Sequence, residues 1–425
     1  MPEPVTETVN VEAAVRTFLA NTEEHLTSYL EACVHCGQCA DACHFYQASG
    51  DPRHTPAYKL FPIVKAYRRQ KWPLSWLGAP KITATDLKEW EELLFDTCTM
   101  CGRCTVICPM GIDIATIVSG ARQAFAAAGL GPKDLVAAAE NARDHGSPLG
   151  VTAEKFKERI EWIADEHDLD IPLDKAKADI LLTVSSIELM KYPGSVAAMA
   201  KLLNHAGVSW TFSSKGYEAT NFGYFAGRPE IAKAAVKRLV DAAESIGAKT
   251  VVIPECGHAY GVMRWSAANM LGRKLPFDVL HISEFMAQLK REGRLKLTPL
   301  AGSITYHDPC QISRRGGCTA DARYLLKDFA EDFREMTPTA NLNWCCGGGG
   351  GVQAISRAAE LRYKVFRIKM DQVEQTGATT MVSSCSNCRL TMDESKAHWK
   401  WDKGIDSLVE LIADHLVEDA KPPAA

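Results

Sequence analysis

Residues 343–351 read NWCCGGGGG, two adjacent cysteines followed by five glycines. A disulfide between Cys345 and Cys346 would be strained, because bridged cysteines keep their Cα atoms about 4.4–6.8 Å apart and chain neighbours sit closer. A tetrahedral zinc knuckle has no use for an adjacent pair. Glycines here would let backbone approach a bound group closely and offer N–H groups to it; the plainer alternative is a flexible loop. Upstream lies ITYHDPCQISRRGG and downstream GATTMVSSCSNCRL, each an apolar strand running into a cysteine turn. An earlier stretch repeats the layout, with ILLTVSSIELMKYPGS and then GAKTVVIPECGHAYG. Ser186 to Asn221 spans 35 residues, as does Cys310 to Cys345. This strand–helix alternation predicts a duplicated α/β unit with helices on the faces of a mainly parallel sheet. Such sheets place reactive groups at the carboxyl ends of their strands, where these cysteines fall.

The 425-residue chain carries 15 cysteines and a net charge of −4. No basic field favours nucleic acid, so no nucleic-acid partner is expected. The opening MPEPVTETVNVEAAV has neither the basic nor the apolar region of an export signal. A reducing, cytoplasmic setting follows as the expectation, in which thiols serve as metal ligands or redox groups. Without an apolar run long enough to span a bilayer, any membrane role would be peripheral, on the inner face and through a partner.

Two further cysteine runs lie near the N-terminus. CVHCGQCADAC supplies Cys33, Cys36, Cys39 and Cys43, and CTMCGRCTVICP supplies Cys98, Cys101, Cys104 and Cys108. Both have the bacterial ferredoxin spacing, in which three cysteines hold one cubane and the fourth reaches the other. One [4Fe-4S] cubane is therefore expected on Cys33, Cys36, Cys39 and Cys108, and a second on Cys98, Cys101, Cys104 and Cys43. The first run departs from the usual pattern at His44, where proline is customary.

The order Cys310, Cys345-Cys346-Gly347, Cys385-x2-Cys388 resembles the CCG cysteine-rich domain of heterodisulfide reductases and their relatives. ACVHCGQCADACHFYQASGDPRHTP, VVIPECGHAYG and HDPCQISRRGG extend the likeness to the DsrK, HmcF, TmcB and HdrD branch. The resemblance implies that Cys310, Cys345, Cys346, Cys385 and Cys388 bind one non-cubane [4Fe-4S] cluster acting on a disulfide or thiol of a small molecule or small protein. It also implies a membrane cytochrome b-type or other redox subunit as partner, or a flavoprotein. In the first copy only Cys256 remains, with Thr220-Asn221 where the cysteine pair would be and no cysteine near Ser185-Ser186. A second special cluster is not expected.

The first-copy turn offers Glu255, Cys256 and His258, which the duplication should turn toward the cluster. A histidine or carboxyl there could protonate leaving thiolates; packed remnants of a lost site are the alternative. Arg314 and Arg315 suit an anionic substrate or a solvated loop. Arg68, Arg69, Trp72 and Trp76 suit docking to a membrane partner or packing on the ferredoxin core. No dinucleotide fingerprint or P-loop is present. The expected architecture is α+β and multidomain: an N-terminal helix (1–30), a helical two-cluster ferredoxin-type domain (31–125), a helical linker (126–177), a degenerate CCG repeat (178–300) and a second CCG repeat with the non-cubane site (301–417). The expected function is an iron–sulfur oxidoreductase subunit moving electrons between the cubanes and the special cluster, or a pure conduit between a flavoprotein and quinone.

Overall fold

The computed structural model describes residues 9–21, 25–71, 81–327 and 329–417. Eight strands form two sheets. β1 (Ile180–Leu182), β2 (Trp210–Thr211), β3 (Thr250–Ile253) and β4 (Asp278–His281) make the first, in the order β2-β1-β3-β4. β5 (Leu300–His307), β6 (Ala330–Phe333), β7 (Thr380–Ser383) and β8 (Gly404–Ser407) make the second, in the order β6-β5-β7-β8. All pairs are parallel, and the two orders correspond strand for strand. The duplication seen in the sequence is thus a duplication of topology. Buried on both faces, the central strands are continuously apolar or small, as in Val251–Ile253 and Met381–Ser383.

Because β3 and β7 occupy equivalent places, the turns after them do too. Cys256 is the N-cap of helix Gly257–Gly261, and Cys385 is the N-cap of helix Ser386–Trp399; both have extended backbone angles. The lone cysteine of the first half therefore stands where the second half has its Cys385.

The segment 126–177 contains helices Lys133–His145 and Ala153–His167. Helix Ala153–His167 buries Phe156, Ile160 and Ile163, and the Phe156 ring stacks on Tyr217 at 4.0 Å. Its polar face made it look like a solvated connector, while a three-residue apolar stripe attaches it to the first sheet's core.

The N-terminal part is a helical layer. Helix Val11–Ala20 is capped by Asn10, whose side chain accepts from Ala13 N–H at 3.0 Å. Asn21 closes this helix, and its side chain donates to the Gly120 carbonyl at 3.0 Å. Helix His25–Ala32 follows. Phe18 meets Phe125 of helix Ile114–Ala127 edge-on at 5.6 Å. Trp72 and Trp76 lie outside the described residues; Arg68 is exposed on helix Phe61–Lys71.

This layer is fastened to both sheets by buried cations. Arg122 is fully buried, and its guanidinium donates to the carbonyls of Leu94, Cys98, Phe225 and Gly350. The Arg103 guanidinium lies 3.5 Å from the centre of the Trp344 ring and donates to Leu342 O at 2.8 Å. Both arginines cross from the ferredoxin loops to the CCG half.

Candidate metal centre

The fifteen cysteines are all unpaired, and thirteen of them gather into three sets. A first cavity is lined by Cys33, Cys36, Cys39 and Cys108, and a second by Cys43, Cys98, Cys101 and Cys104. Each run thus lends its fourth cysteine to the other, because Cys43 and Cys108 lie beyond the short helices Gln38–Asp41 and Arg103–Ile107. Left-handed glycines, Gly37 at φ 81° and Gly102 at φ 73°, turn each loop into its helix.

The third set is Cys310, Cys345, Cys346, Cys385 and Cys388, all buried. Cys310 Sγ lies 3.9 Å from Cys345 Sγ, and Cys346 Sγ lies 3.3 Å from Cys388 Sγ. Cys345 is pushed below the ordinary thiol value by hydrogen bonds from Cys101 and Cys310, and Cys346 by those from Cys345 and Cys388. The Gly347 N–H points to Cys345 Sγ at 3.5 Å. The same thiol–thiol contacts push Cys310 and Cys388 up, so the shifts within the set are reciprocal.

Orphaned polar atoms test whether these sets fit a bound group. His44 and His307 are buried, and neither has a hydrogen-bond partner on either ring nitrogen. Folded proteins leave few such atoms unpaired unless something further is bound. His44 lines the Cys43, Cys98, Cys101 and Cys104 cavity; His307 lies beside Cys346 and Cys388. The donor chemistry fits iron–sulfur groups in all three places.

The second and third sets touch. Cys345 Sγ is 3.5 Å from the Thr99 hydroxyl, in the loop between Cys98 and Cys101. Gln311 donates to Met100 O at 2.8 Å, and Arg314 donates to Cys101 O at 3.0 Å. Arg314 also holds the carbonyls of Asn341 and Asn343, and Arg315 pairs with Asp113. These two arginines clamp the halves together and also line a cavity of about 330 Å³.

The glycine run completes the contact. Gly350 has φ 62°, and a Cβ there would lie 2.9 Å from the Thr99 carbonyl carbon and oxygen. A Cβ on Gly348 would meet Thr391 Oγ1 closer than any real contact. The stretch is held by close packing against Thr99 and Thr391 and is not a loose loop. Gly350→Ala is expected to cost about 2–3 kcal/mol, from a disfavoured backbone conformation plus overpacking. Urea unfolding of the holoprotein checks this; an unchanged midpoint would show that the loop yields freely.

The sequence-singled turn Glu255–His258 faces the third set, as the Gly257 N–H donates to Cys385 and lowers it. Glu255 itself is directed elsewhere: its carboxylate oxygens accept from the Ser407 hydroxyl at 2.8 Å and Val409 N–H at 3.1 Å. Burial pushes it up to about 8, and burial likewise pushes neighbouring Glu188 up to about 7. Cys256 is pushed up, chiefly by burial. His258 Nε2 accepts from Gly350 N–H at 3.1 Å, which leaves Nδ1 to carry the proton, and burial holds the ring down to about 3. Cys256 and His258 share the wall of a cavity of about 410 Å³ with Ser186, Thr220, Gly350, Ser386 and Asn387.

Glu255 has a consequence for stability. A carboxyl raised in the fold keeps its proton where the unfolded chain has lost it, so its contribution is full below about pH 4.5 and is lost as pH rises toward 8. Glu255→Gln is therefore expected to flatten the fall in melting temperature between pH 6 and pH 8.5. Parallel pH curves for the two proteins would sink this.

Sequence reasoning missed the cations and carboxylates around the sets. Lys369 is fully buried, donates to Asn343 Oδ1 at 2.6 Å, and is pushed down to about 7 by burial despite nearby thiolates. Glu218 is buried in the first half, where it accepts from Ser186 N–H and Thr220 N–H, each at 2.8 Å. The first half thus fills its lost ligand positions with hydroxyls and a carboxylate. Cys318 stands apart, its Sγ 3.3 Å from the Tyr260 hydroxyl. Among the described residues no helix is long and apolar enough to cross a membrane.

Residues 29–112 match the 4Fe-4S dicluster domain, and residues 304–393 match the CCG cysteine-rich domain. The chain is 27% identical to an Hdr-like menaquinol oxidoreductase iron-sulfur subunit of Archaeoglobus profundus, over 92% of this chain and 80% of that protein. It is 27% identical to a dihydromethanophenazine:CoB--CoM heterodisulfide reductase subunit of Methanosarcina barkeri, over 91% and 94% respectively. It is also 27% identical to the EtfAB:quinone oxidoreductase of Syntrophomonas wolfei, over 85% of this chain and 54% of that one. The dicluster segment, the cysteine-rich domain and the near full-length relatives agree with the cysteine geometry: this chain is an iron–sulfur oxidoreductase or a subunit of one, similar over nearly its whole length to heterodisulfide reductase-type subunits.

Proposed function

We propose that the chain carries electrons between a partner and a disulfide-type substrate, through two cubane sites and one five-cysteine non-cubane site. The observation that carries this reading is the contact of Cys345 Sγ with Thr99, which joins the second ferredoxin set to the third. Exposure falls along the same line: Cys36 is exposed, Cys98, Cys101 and Cys104 are partly covered, and all five CCG cysteines are buried. The outer set is ringed by exposed apolar side chains, Val34 at 68% and Met110 at 51%, which suit a protein partner. A membrane cytochrome b-type or other redox subunit in exchange with quinone fits that place, with the chain peripheral to the membrane.

When bound, the iron–sulfur groups supply single electrons at low energetic cost of reorganisation. The protein's own residues do the rest. Reducing a disulfide takes two electrons and two protons and gives two thiols. The cavity beside Cys256 and His258 would receive the substrate next to the CCG set. His258, kept neutral by burial, would donate a hydrogen bond from Nδ1 to a departing thiolate while Nε2 stays fixed on Gly350; both protons come from solvent, and Cys256 stays a thiol. Lys369, pushed down to about 7 by burial, adds positive charge near Cys345, Cys346 and Cys388 when protonated and then favours electron gain there.

A second reading, a conduit between a flavoprotein and quinone without substrate chemistry, is favoured by the likeness to the EtfAB:quinone oxidoreductase. Electron paramagnetic resonance of the oxidised, anaerobically purified protein separates the two. A thiol-dependent paramagnetic signal is the expected result. Full iron content with no response to thiols would favour the conduit.

A further inference from the structure

His307 is the last residue of β5 and stands three positions before Cys310. Its side chain has no solvent exposure, and both ring nitrogens lack a hydrogen-bond partner. An imidazole always carries at least one N–H and, when neutral, one lone pair. Burying both without partners costs about 1–3 kcal/mol per group, so an unpaired pair of this kind marks a missing neighbour. The neighbours present are sulfurs: a ring nitrogen of His307, Cys346 Sγ and Cys388 Sγ all lie within 4.8 Å of one another.

That bound leaves room for all three to share a metal. Donors bound to one tetrahedral metal at about 2.0 Å for nitrogen and 2.3 Å for sulfur sit roughly 3.5 Å from each other. Cys346 and Cys388, at 3.3 Å, already meet that condition. The backbone fixes the histidine's place: β5 pairs in register with β7, His307 opposite Ser383, so the ring leaves the sheet at the edge from which the Cys385 turn departs. Asp308, the nearest carboxylate in sequence, is held by Arg323 and the Ala340 N–H and is not turned to the ring.

We propose that His307 is a sixth protein ligand of the CCG site, its ring nitrogen bound to an iron shared with or next to those of Cys346 and Cys388. The proposal rests on the reading that the five cysteines hold iron. Imidazole in place of thiolate on an iron raises the reduction potential of an iron–sulfur group. His307 would therefore leave its iron easier to reduce than a cysteine at the same position would.

The test uses whole protein purified anaerobically, enriched in ⁵⁷Fe and labelled with ¹⁵N-histidine. Mössbauer spectra, which need no paramagnetic state, should contain a nitrogen-ligated iron, and hyperfine spectra of the paramagnetic form should show a directly bound ¹⁵N. Both signatures should vanish in His307→Leu and survive in His44→Leu. If the Leu variant loses the iron, His307→Cys decides: a sulfur ligand should restore the iron without the nitrogen signature. Iron at the full count with no nitrogen signature would overturn the proposal, as would a signature lost only in His44→Leu or iron that His307→Cys does not restore. About eight irons per chain in the unaltered protein would remove the underlying five-cysteine reading instead.

Discussion

Cys346→Ser should lower bound iron from about twelve to about eight atoms per chain and leave the two ferredoxin-type spectra unchanged. Cys346 is central to its set: Cys388 lies 3.3 Å away, Cys345 is adjacent, and its thiol is pushed down by both. Serine keeps the volume but is a far weaker ligand at neutral pH, because its hydroxyl does not ionise there. The ferredoxin sets use none of its atoms. Reduction of any disulfide substrate should fall at least about a hundredfold, since ligand loss exceeds the loss from an outer-sphere partner. Iron and sulfide analysis with low-temperature spectra checks this. An unchanged iron count would mean that Cys346 is not a ligand.

Arg122→Met should destabilise the protein by about 3–5 kcal/mol, more than a typical core substitution. Its guanidinium holds Leu94 O at 3.0 Å, Cys98 O at 2.9 Å and Phe225 O at 3.2 Å, together with Gly350 O. Methionine matches the aliphatic stem and leaves those carbonyls buried without a donor. Three regions of the chain lose their common tie: the second ferredoxin loop, the helix Phe222–Phe225 and the glycine run. Denaturant unfolding should show a lower midpoint and an earlier loss of ferredoxin absorbance. A shift below about 1 kcal/mol would mean that ordered water satisfies the carbonyls.

Much of this was legible from the residues. The ferredoxin sets are encoded by spacing within short loops, and the exchange of Cys43 and Cys108 follows from one turn of helix. The duplication was legible because strand, turn and cysteine recur at one interval, and the two sheets share a strand order. What was not legible depends on contacts across long separations. Nothing local marks Arg122 as the residue that meets Gly350, or Lys369 as the neighbour of Asn343. His307 stood inside the quoted HDPC, but its importance lies in having no partner, which only packing reveals. The segment 126–177 read as a spacer because charge dominates its composition, while three apolar residues determine its position. Glu255 read as a donor to the site, yet its hydrogen bonds run to Ser407 and Val409 across the duplication.

The approach of Gly350 to Thr99 is a meeting of two main chains, with no side chain between them. Substitution can change what surrounds such a seam but cannot widen it without moving the fold. Electron tunnelling depends steeply on separation and only gently on driving force. The spacing between the second ferredoxin loop and the CCG pocket is therefore set by main-chain packing and not by the size of any side chain. A chain built this way can adapt to new partners and new potentials while its internal wire keeps one length.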